Sequence, residues 1–390
     1  MPPTRATAHA RDAAPARRRA RTAAVAATTV AVSLLAGACG MANVADPRWS
    51  DLLPSGSTGR VTASDRDVAY GPDTGCGPDA TSHERCGGSQ TLDIYPAGIV
   101  ASSAPTTTAA PTTAPSTTAP EGGPGPGDAG SEVLDDRDPQ GPPTTTPPTT
   151  RPGDRRTGTI VFIHGGGFTG GDKSNLTDFA PILRQTERGW DVVVVNYRLS
   201  NPRLGTAMYP TPLLDVERAL DWVRTKGATH GLDTTQVVVG GESAGGGLAA
   251  LIGTAWNSGR AELAGIDRVD GYISISGVLD LETPTARFWS SMWISHPIWL
   301  PIVTATTHLD AADPPAWLVH GDQDGVVEAA ASQHFKAVAD RGGFGHLVDY
   351  DLVDLAADGT PLGDAVRNHT PSAGANVTAL DAWLDRIAAT

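Results

Sequence analysis

The segment that most constrains the fold is Val237-Val-Val-Gly-Gly-Glu-Ser-Ala-Gly-Gly-Gly247, in which three valines are followed by glycines on both sides of a serine. A run of β-branched residues that ends at glycines predicts a buried strand followed by a sharp turn. In the frame Gly-x-Ser-x-Gly, this turn holds Ser243 in a strained backbone conformation above the sheet, with a helix starting directly behind it. Gly241 and Gly245 are expected here because a side chain at either position would collide with the neighbouring strand and helix. The Gly-x-Ser-x-Gly pattern also occurs by chance, so it indicates a catalytic serine only if other motifs of the chain support it.

A second glycine-rich turn, His164-Gly-Gly-Gly-Phe168, directly follows the apolar run Thr159-Ile-Val-Phe-Ile163. Three consecutive glycines are costly in conformational entropy. They are useful where backbone N–H groups must face a ligand oxygen, as an oxyanion hole requires. A flexible surface loop is the alternative, but such loops rarely follow a fully apolar strand so closely. The two turns together predict a nucleophilic serine beside a site for a negatively charged oxygen.

These two motifs resemble those of the α/β-hydrolase fold, and specifically its esterase and lipase branch, which includes hormone-sensitive-lipase-like and feruloyl-esterase-like enzymes. The likeness extends to Gly171-Asp-Lys173, Asn196-Tyr-Arg-Leu199 and His320-Gly-Asp-Gln-Asp324. It covers the chain from about residue 65 to the C-terminus, with one interruption. The resemblance implies a serine carboxylesterase that cleaves small-molecule esters through an acyl-enzyme.

The resemblance also implies the residues of the site. The backbone N–H groups of Gly166, Gly167 and Ala244 would form the oxyanion hole. A triad in the chain order Ser, acid, His is expected for this fold. The acid should be Asp324, because the family motif places the carboxylate at the fifth position of His320–Asp324. Asp322 is expected to have a structural role in the turn.

The predicted catalytic base is His369. A triad histidine in this fold lies in the loop after the last strand, and Leu347-Val-Asp-Tyr-Asp-Leu-Val353 is the last alternating apolar run before the closing helix. His369 is the only histidine beyond that run. His346 would enter the strand at the end far from the serine, His334 lies inside a predicted helix, and His320 belongs to the turn before the acid.

From Gly158 onward, the hydrophobic pattern predicts a regular alternation of strands and helices. Such alternation implies an α/β domain with a mostly parallel central sheet and helices on both faces. In sheets of this kind the site lies beyond the carboxyl ends of the strands. Strands are predicted at about 159–163, 191–197, 236–240, 270–276, 315–320 and 346–353, and helices near 174–188, 212–229, 244–257, 326–340 and 374–388. Two earlier strands are predicted at Asp67–Gly71 and Gln90–Tyr95.

A low-complexity segment rich in Thr, Pro, Ala and Gly interrupts the domain from about 101 to 154. With few large apolar residues, it cannot bury enough surface to offset the entropy of ordering, and it is predicted to be disordered. It interrupts the fold between two strands that are expected to be adjacent, where the resemblance to the family implies a short hairpin. The predicted organisation is a hydrolase domain over 61–390 interrupted by 101–154, preceded by a tether at 40–60.

Residues 1–38 have the layout of a secretory signal, with six arginines followed by a charge-free stretch that ends in small residues. The sequence Leu34-Leu-Ala-Gly-Ala-Cys39 resembles a bacterial lipoprotein signal, in which the cysteine becomes a lipidated N-terminus. Lipidation of Cys39 and a disulfide between Cys76 and Cys86 would account for all three cysteines. The alternative is ordinary cleavage with a free Cys39. The protein is therefore expected to be exported, either anchored by lipid to the outer face of the cell membrane or secreted.

Composition narrows the functional classes further. The net charge of −14 argues against nucleic acid as a partner, and no His or Cys cluster has metal-ligand spacing, so no metal or other cofactor is expected. Three of the nine tryptophans lie in Phe288–Pro301, which predicts either a small cap-like substrate wall or an aromatic satellite core. Amidases, formamidases and peptidases share the fold and the motifs, so amide cleavage stays open. A non-catalytic cell-surface binding role is disfavoured because every expected triad residue is present.

Overall fold

The computed structural model describes residues 63–71, 90–97, 156–174, 180–280, 283–354, 369 and 373–390. They all belong to one unit of the chain. The predicted signal at 1–38, the tether at 40–60 and the whole of the predicted insertion at 101–154 lie outside the described residues, as do Cys39, Cys76 and Cys86. The predictions for these segments stay predictions.

The described residues form one eight-stranded sheet with the order β1-β2-β4-β3-β5-β6-β7-β8. The first two strands are antiparallel to their neighbours, and the remaining pairs are parallel. The strands are β1 Asp65–Ala69, β2 Thr91–Tyr95, β3 Gly158–Ile163, β4 Trp190–Val195, β5 Val237–Glu242, β6 Gly271–Ile275, β7 Ala316–Gly321 and β8 Val348–Val353. The prediction of a mostly parallel sheet is confirmed.

The helices of the described residues are α1 Ala180–Leu183, α2 Thr211–Lys226, α3 Ala244–Ala255, α4 Pro284–Ser291, α5 Leu300–Val303, α6 Ala330–Gly342 and α7 Ala373–Ile387. Five of them lie at or near predicted positions, whereas α4 and α5 lie in the aromatic stretch, for which no helix was predicted. Within the helix predicted near 174–188, α1 is followed by a 3₁₀ helix at Arg184–Arg188. The helix predicted from 326 begins at Ala330 instead, because the Asp324 carboxylate accepts the backbone N–H groups of Val326 and Val327 in a turn. Among the described helices, none is both long and apolar enough to cross a membrane.

Side chains of the central strands are buried on both faces of the sheet. In β3, Val161 and Ile163 join the apolar cluster that includes residues of α2, α3 and α6. Ile160 and Phe162, which alternate with them, join the cluster that includes residues of α1 and α7. A parallel strand buried in this way requires helices on each face, which is why its sequence is a continuous apolar run.

The link between β2 and β3 differs from the predicted hairpin. These strands are not neighbours, because β4 lies between them and pairs with both. Tyr95 at the end of β2 is opposite Val192, and Gly158 at the start of β3 is opposite Trp190. Both ends of the connection therefore lie near the amino end of β4, the strand that separates β2 from β3. Pairing between distant segments decides this arrangement, and local sequence carries no signal for it.

Candidate active site

Ser243 lies in a strained turn at the carboxyl end of β5. Its φ of 53° and ψ of −116° are unusual for a residue with a side chain. A Cβ atom at Gly241 would lie 2.3 Å from the Gly245 backbone, and a Cβ atom at Gly245 would lie 2.2 Å from the carbonyl oxygen of Ile163. The predicted reason for both glycines is thus confirmed: the helix blocks one position and the neighbouring strand blocks the other. The turn raises Ser243 above the sheet at the start of α3, where the helix dipole favours negative charge.

The loop after β3 has the backbone conformations that its glycines predict. Gly166 and Gly167 have φ values of 108° and 60°. A Cβ atom at Gly166 would lie 2.3 Å from the carbonyl oxygen of Gly170, so only glycine fits there. The His164 ring stacks on Tyr197 with 4.5 Å between ring centroids, and its Nδ1 lies 2.7 Å from the carbonyl oxygen of Gly165. Burial lowers the pKa of His164, which suits a neutral structural role for this ring.

An ionic network around the buried Lys173 fixes the far end of this loop. The Lys173 ammonium donates to Asp67 and Asp93, at 2.7 Å each, which ties the loop to β1 and β2. Asn196 completes the network, because its Oδ1 accepts the Lys173 N–H at 2.6 Å while its Nδ2 donates to Asp172 at 2.8 Å. Burial lowers the pKa of Lys173, but the two carboxylates outweigh it and the net pKa is raised. The charged form of Lys173 therefore holds the loop in place.

The structure brings His369 and Asp324 together, although they are 45 residues apart in the sequence. His369 Nδ1 lies 2.8 Å from Asp324 Oδ2, and both side chains are buried. Because a carboxylate only accepts hydrogen bonds, Nδ1 carries the proton in this contact. On the opposite side of the ring, Nε2 lies 3.4 Å from Oε1 of Glu242, the residue that precedes Ser243. The imidazole thus spans from the acid after β7 to the turn after β5.

The Asp324 carboxylate is held by several donors at once. Its Oδ1 accepts the backbone N–H groups of Val326 and Val327 at 2.8 and 3.0 Å. Its Oδ2 lies 3.1 Å from Nε2 of His320 in addition to its contact with His369. Burial raises the pKa of Asp324, but the charge of His369 and the hydrogen bonds from both histidines outweigh it and bring the pKa to about 2. Asp324 is therefore ionised at any physiological pH.

The other polar residues considered from the sequence lie in different surroundings. The Asp322 backbone N–H donates to the carbonyl oxygen of Val353 at 2.9 Å, which joins the turn after β7 to β8. His346 lies in the short turn that leads into the amino end of β8. His334 lies in α6, and its Nδ1 contacts Asp280 at 2.9 Å. The placements expected for His334 and His346 are thus confirmed.

Two residues of the site were missed from sequence. Glu242 lies within the Gly-x-Ser-x-Gly frame, and the available signal was a charged residue at the end of a valine-rich strand. It is 6% exposed, and a Cβ atom at Gly165 would lie 1.9 Å from its Oε2, so its carboxylate rests against the loop after β3. His320, which supports Asp324, was assigned only to the turn before the acid.

The aromatic stretch after β6 packs against the site and the core. Trp293 joins the main core cluster and stacks on Phe168 with 4.8 Å between ring centroids. Trp289 packs on the loop after β3, because a Cβ atom at Gly167 would lie 2.5 Å from its ring. Trp293 thus belongs to the main core and not to a satellite, whereas Trp289 belongs to a smaller separate cluster beside a predicted oxyanion donor. The substrate wall stays a prediction. Among the residues that the structure describes, no group of three or more His, Cys, Asp or Glu side chains could hold a metal ion.

The sheet order, the strained serine turn and the glycine loop define the α/β-hydrolase fold. Residues 148–338 match the family model BD-FAE. The chain is similar to the "Probable carboxylic ester hydrolase LipM" of Mycobacterium tuberculosis, with 30% identity over 204 residues that cover 46% of this chain and 44% of that protein. It is also similar to esterase LipQ of the same organism, with 28% identity over 198 residues that cover 47% and 46% of the two chains. The chain thus spans about half the length of the curated relatives it matches.

A solved structure supports the fold over most of the chain. Esterase B from Lactobacillus rhamnosis aligns with a TM-score of 0.53 and 18% identity, and the alignment covers 96% of both chains. At this identity the likeness concerns the fold alone. Together with the sequence matches, it confirms the resemblance to the esterases and lipases of the α/β-hydrolase fold.

Proposed function

We propose that the protein is a serine hydrolase that cleaves carboxylic esters of small molecules. The observation that carries this proposal is the 2.8 Å contact between His369 Nδ1 and Asp324 Oδ2, in a ring whose Nε2 faces the turn of Ser243. A nucleophile, a base and an orienting acid are the parts that acyl transfer requires. The names of the related ester hydrolases favour esters over other acyl compounds.

In the proposed reaction, Ser243 Oγ attacks the ester carbonyl carbon while His369 Nε2 takes the hydroxyl proton. The negative charge that develops on the carbonyl oxygen faces the backbone N–H groups of Gly166, Gly167 and Ala244. The bond to the alcohol then breaks, and the imidazolium gives its proton to the leaving oxygen. Water attacks the acyl-enzyme with His369 again as base, which releases the carboxylic acid and restores Ser243.

Asp324 acts through His369 in this scheme. Its charge fixes the proton on Nδ1 and stabilises the imidazolium that forms in each step. The low pKa of Asp324 supports this role, because an acid ionised down to about pH 2 keeps its charge over the whole working range. The network around Lys173 keeps the proposed oxyanion donors in position.

The test is to assay purified protein and its Ser243→Ala variant on matched ester, amide and peptide substrates. We expect ester hydrolysis, and a loss of about 10³-fold or more in the variant, whose circular dichroism and melting temperature stay unchanged. Faster cleavage of the amide than of the ester would assign the chain to the amidases of this fold. Near-normal ester hydrolysis by Ser243→Ala would contradict the mechanism, and no turnover by the wild type would favour a binding role.

We also propose that the protein is exported through residues 1–38, with Cys39 as a lipidated N-terminus or with simple release after cleavage. The arginine-rich start, the charge-free stretch and the small residues before Cys39 support this proposal. A disulfide between Cys76 and Cys86 would suit an oxidising compartment. Mass spectrometry of the mature protein distinguishes the outcomes, because lipid at Cys39 and a bridged peptide each have a distinct mass.

A further inference from the structure

An apolar cluster contacts the proposed machinery at three separate points. Its buried members are Val278, Ala286, Trp289, Val326, Val327 and Ala331. Trp289 packs on Gly167, a proposed oxyanion donor. The Val278 N–H lies 3.4 Å from the carbonyl oxygen of Ser243, and Val326 donates to Asp324 at 2.8 Å. The cluster therefore forms a wall that joins the nucleophile, the oxyanion loop and the acid.

Trp289 is the largest side chain in this wall, and its position is fixed. Its Nε1–H donates to the carbonyl oxygen of Val326 at 2.9 Å, so rotation of the ring would leave a buried acceptor unpaired. Phe288 packs edge-on against it with 5.0 Å between ring centroids. Only 5% of Trp289 is exposed, so little free space surrounds the indole. The ring is a rigid boundary and not a movable flap.

The position of this boundary limits the acyl group. In the proposed reaction the carbonyl oxygen of the substrate lies at the N–H groups of Gly166 and Gly167. The acyl chain therefore begins beside Gly167, on which the Trp289 ring packs. A short chain fits beside a fixed indole, whereas each added methylene must find space in a wall that is already packed. We propose that Trp289 restricts the enzyme to esters of short-chain carboxylic acids, an inference that rests on the proposed function.

The inference is tested with 4-nitrophenyl acetate, butanoate, hexanoate and octanoate, assayed as kcat/KM on the wild type and on Trp289→Phe, Trp289→Leu and Trp289→Ala. We expect the wild type to prefer acetate or butanoate. The ratio of octanoate to acetate should rise through the series and reach about tenfold or more above wild type in the alanine variant. Because both esters are assayed on one sample, the ratio is independent of the fraction that is folded. The graded variants keep the test valid if the alanine variant does not fold.

Trp299→Ala is the matched control. It removes the same side chain from the same stretch, but Trp299 packs on Tyr209, with 5.4 Å between ring centroids, and its ratio should stay at the wild-type value. An unchanged ratio in every active Trp289 variant, an equal rise in Trp299→Ala, or a wild-type preference for octanoate would overturn the inference while ester hydrolysis stands. Absence of hydrolysis of all four esters by the wild type would instead overturn the proposed function, and the inference with it.

Discussion

Two aspartates on either side of β7 are buried to nearly the same extent, but their pKa values are shifted in opposite directions. Asp313 precedes the strand and is 5% exposed, and Asp324 follows it and is 7% exposed. Burial raises the pKa of Asp313 to about 7, and the hydrogen bond from the Asp310 backbone N–H offsets only part of this increase. The pKa of Asp324 is about 2, because the charge of His369 and hydrogen bonds from His320 and His369 reverse the effect of burial. Burial alone therefore does not determine the charge state of either residue.

The difference lies in the partners that each end of the strand provides. Asp313 Oδ2 accepts one backbone N–H, from Asp310 at 2.9 Å, while its Oδ1 has no hydrogen-bond partner among the residues described. Asp324 receives two backbone N–H groups and lies beside two imidazoles. Hydrogen-bond donors are concentrated at the carboxyl ends of the strands, because the loops that follow several parallel strands meet there. A carboxylate is thus stabilised at the end of the sheet where we place the reaction, and neutralised at the other end.

The largest expected effect concerns the imidazole that gives Asp324 its low pKa. His369→Ala should lose ester hydrolysis about as completely as Ser243→Ala, because nucleophile and base act as a unit. His346→Ala is the matched control and should keep most of the activity, since His346 lies at the amino end of β8. Steady-state kcat/KM on a short-chain ester measures both. The opposite pattern would move the base to His346.

Asp324→Asn should reduce kcat/KM by about 10²- to 10⁴-fold, less than the loss of His369, because the acid acts only through the imidazole. The amide cannot both accept the Nδ1 proton and stabilise the imidazolium with a charge. Asp322→Asn, two residues away in the same turn, should retain most of the activity. Retention of activity in Asp324→Asn together with its loss in Asp322→Asn would show that the acid has been misassigned.

The two aspartates should also make unfolding depend on pH in opposite directions. The pKa of Asp324 is lowered on folding, so its charge stabilises the fold fully above about pH 4, and this stabilisation is lost as the pH falls through about 2. A shift of nearly two units corresponds to about 2 kcal/mol at pH 7. Asp324→Asn should therefore be less stable than wild type at pH 7, with a difference that shrinks below pH 4.

Asp313 has a raised pKa, so its cost is absent below about pH 4, grows as the pH rises and is complete above about pH 7. Asp313→Asn should be more stable than wild type by about 1–2 kcal/mol at pH 8 and nearly equal to it at pH 4. Urea unfolding of both variants at several pH values measures the difference. Parallel pH dependence for the two variants would contradict the comparison.

The smallest expected effect concerns Glu242, the second carboxylate at His369. Glu242→Gln removes a negative charge 3.4 Å from Nε2, so the imidazolium loses stabilisation. Steady-state kcat/KM at pH 7 should therefore fall several-fold. The control is Glu262→Gln, a change at an exposed side chain, which should keep the wild-type kcat/KM. Equal kcat/KM in Glu242→Gln and wild type would exclude this electrostatic role.

The features predicted best are those that residues close together in the sequence determine. The turn at Ser243 follows from valines and glycines within eleven residues, and the close contacts at Gly241 and Gly245 explain why no other residue fits. The side-chain contact of Glu242 was beyond such reasoning, because it depends on His369, which is far along the chain. The prediction of a hairpin between β2 and β3 was wrong for the same reason, because β4, which pairs with both strands, comes later in the sequence.

His369 is an intermediate case. Its position beyond the last predicted strand made it the candidate base, and the structure places its ring against Asp324. Its catalytic role stays a prediction until the variants are assayed. The acid could be chosen over Asp322 only through the family motif, because both residues occur in one turn and composition does not separate them.

Asp191 holds together the point where the chain leaves β2 and the point where it enters β3. Its Oδ1 accepts the backbone N–H of Ala97 at 2.7 Å, and its Oδ2 lies 3.3 Å from the Arg156 guanidinium, so one buried carboxylate holds both margins of the segment 98–155. These margins lie at the amino end of β3, whereas Ser243 and Asp324 follow the carboxyl ends of their strands. For protein engineering, a change in the length of this segment would alter the chain between two points that a single carboxylate holds together, at the end of β3 opposite to the one that leads to the glycine loop.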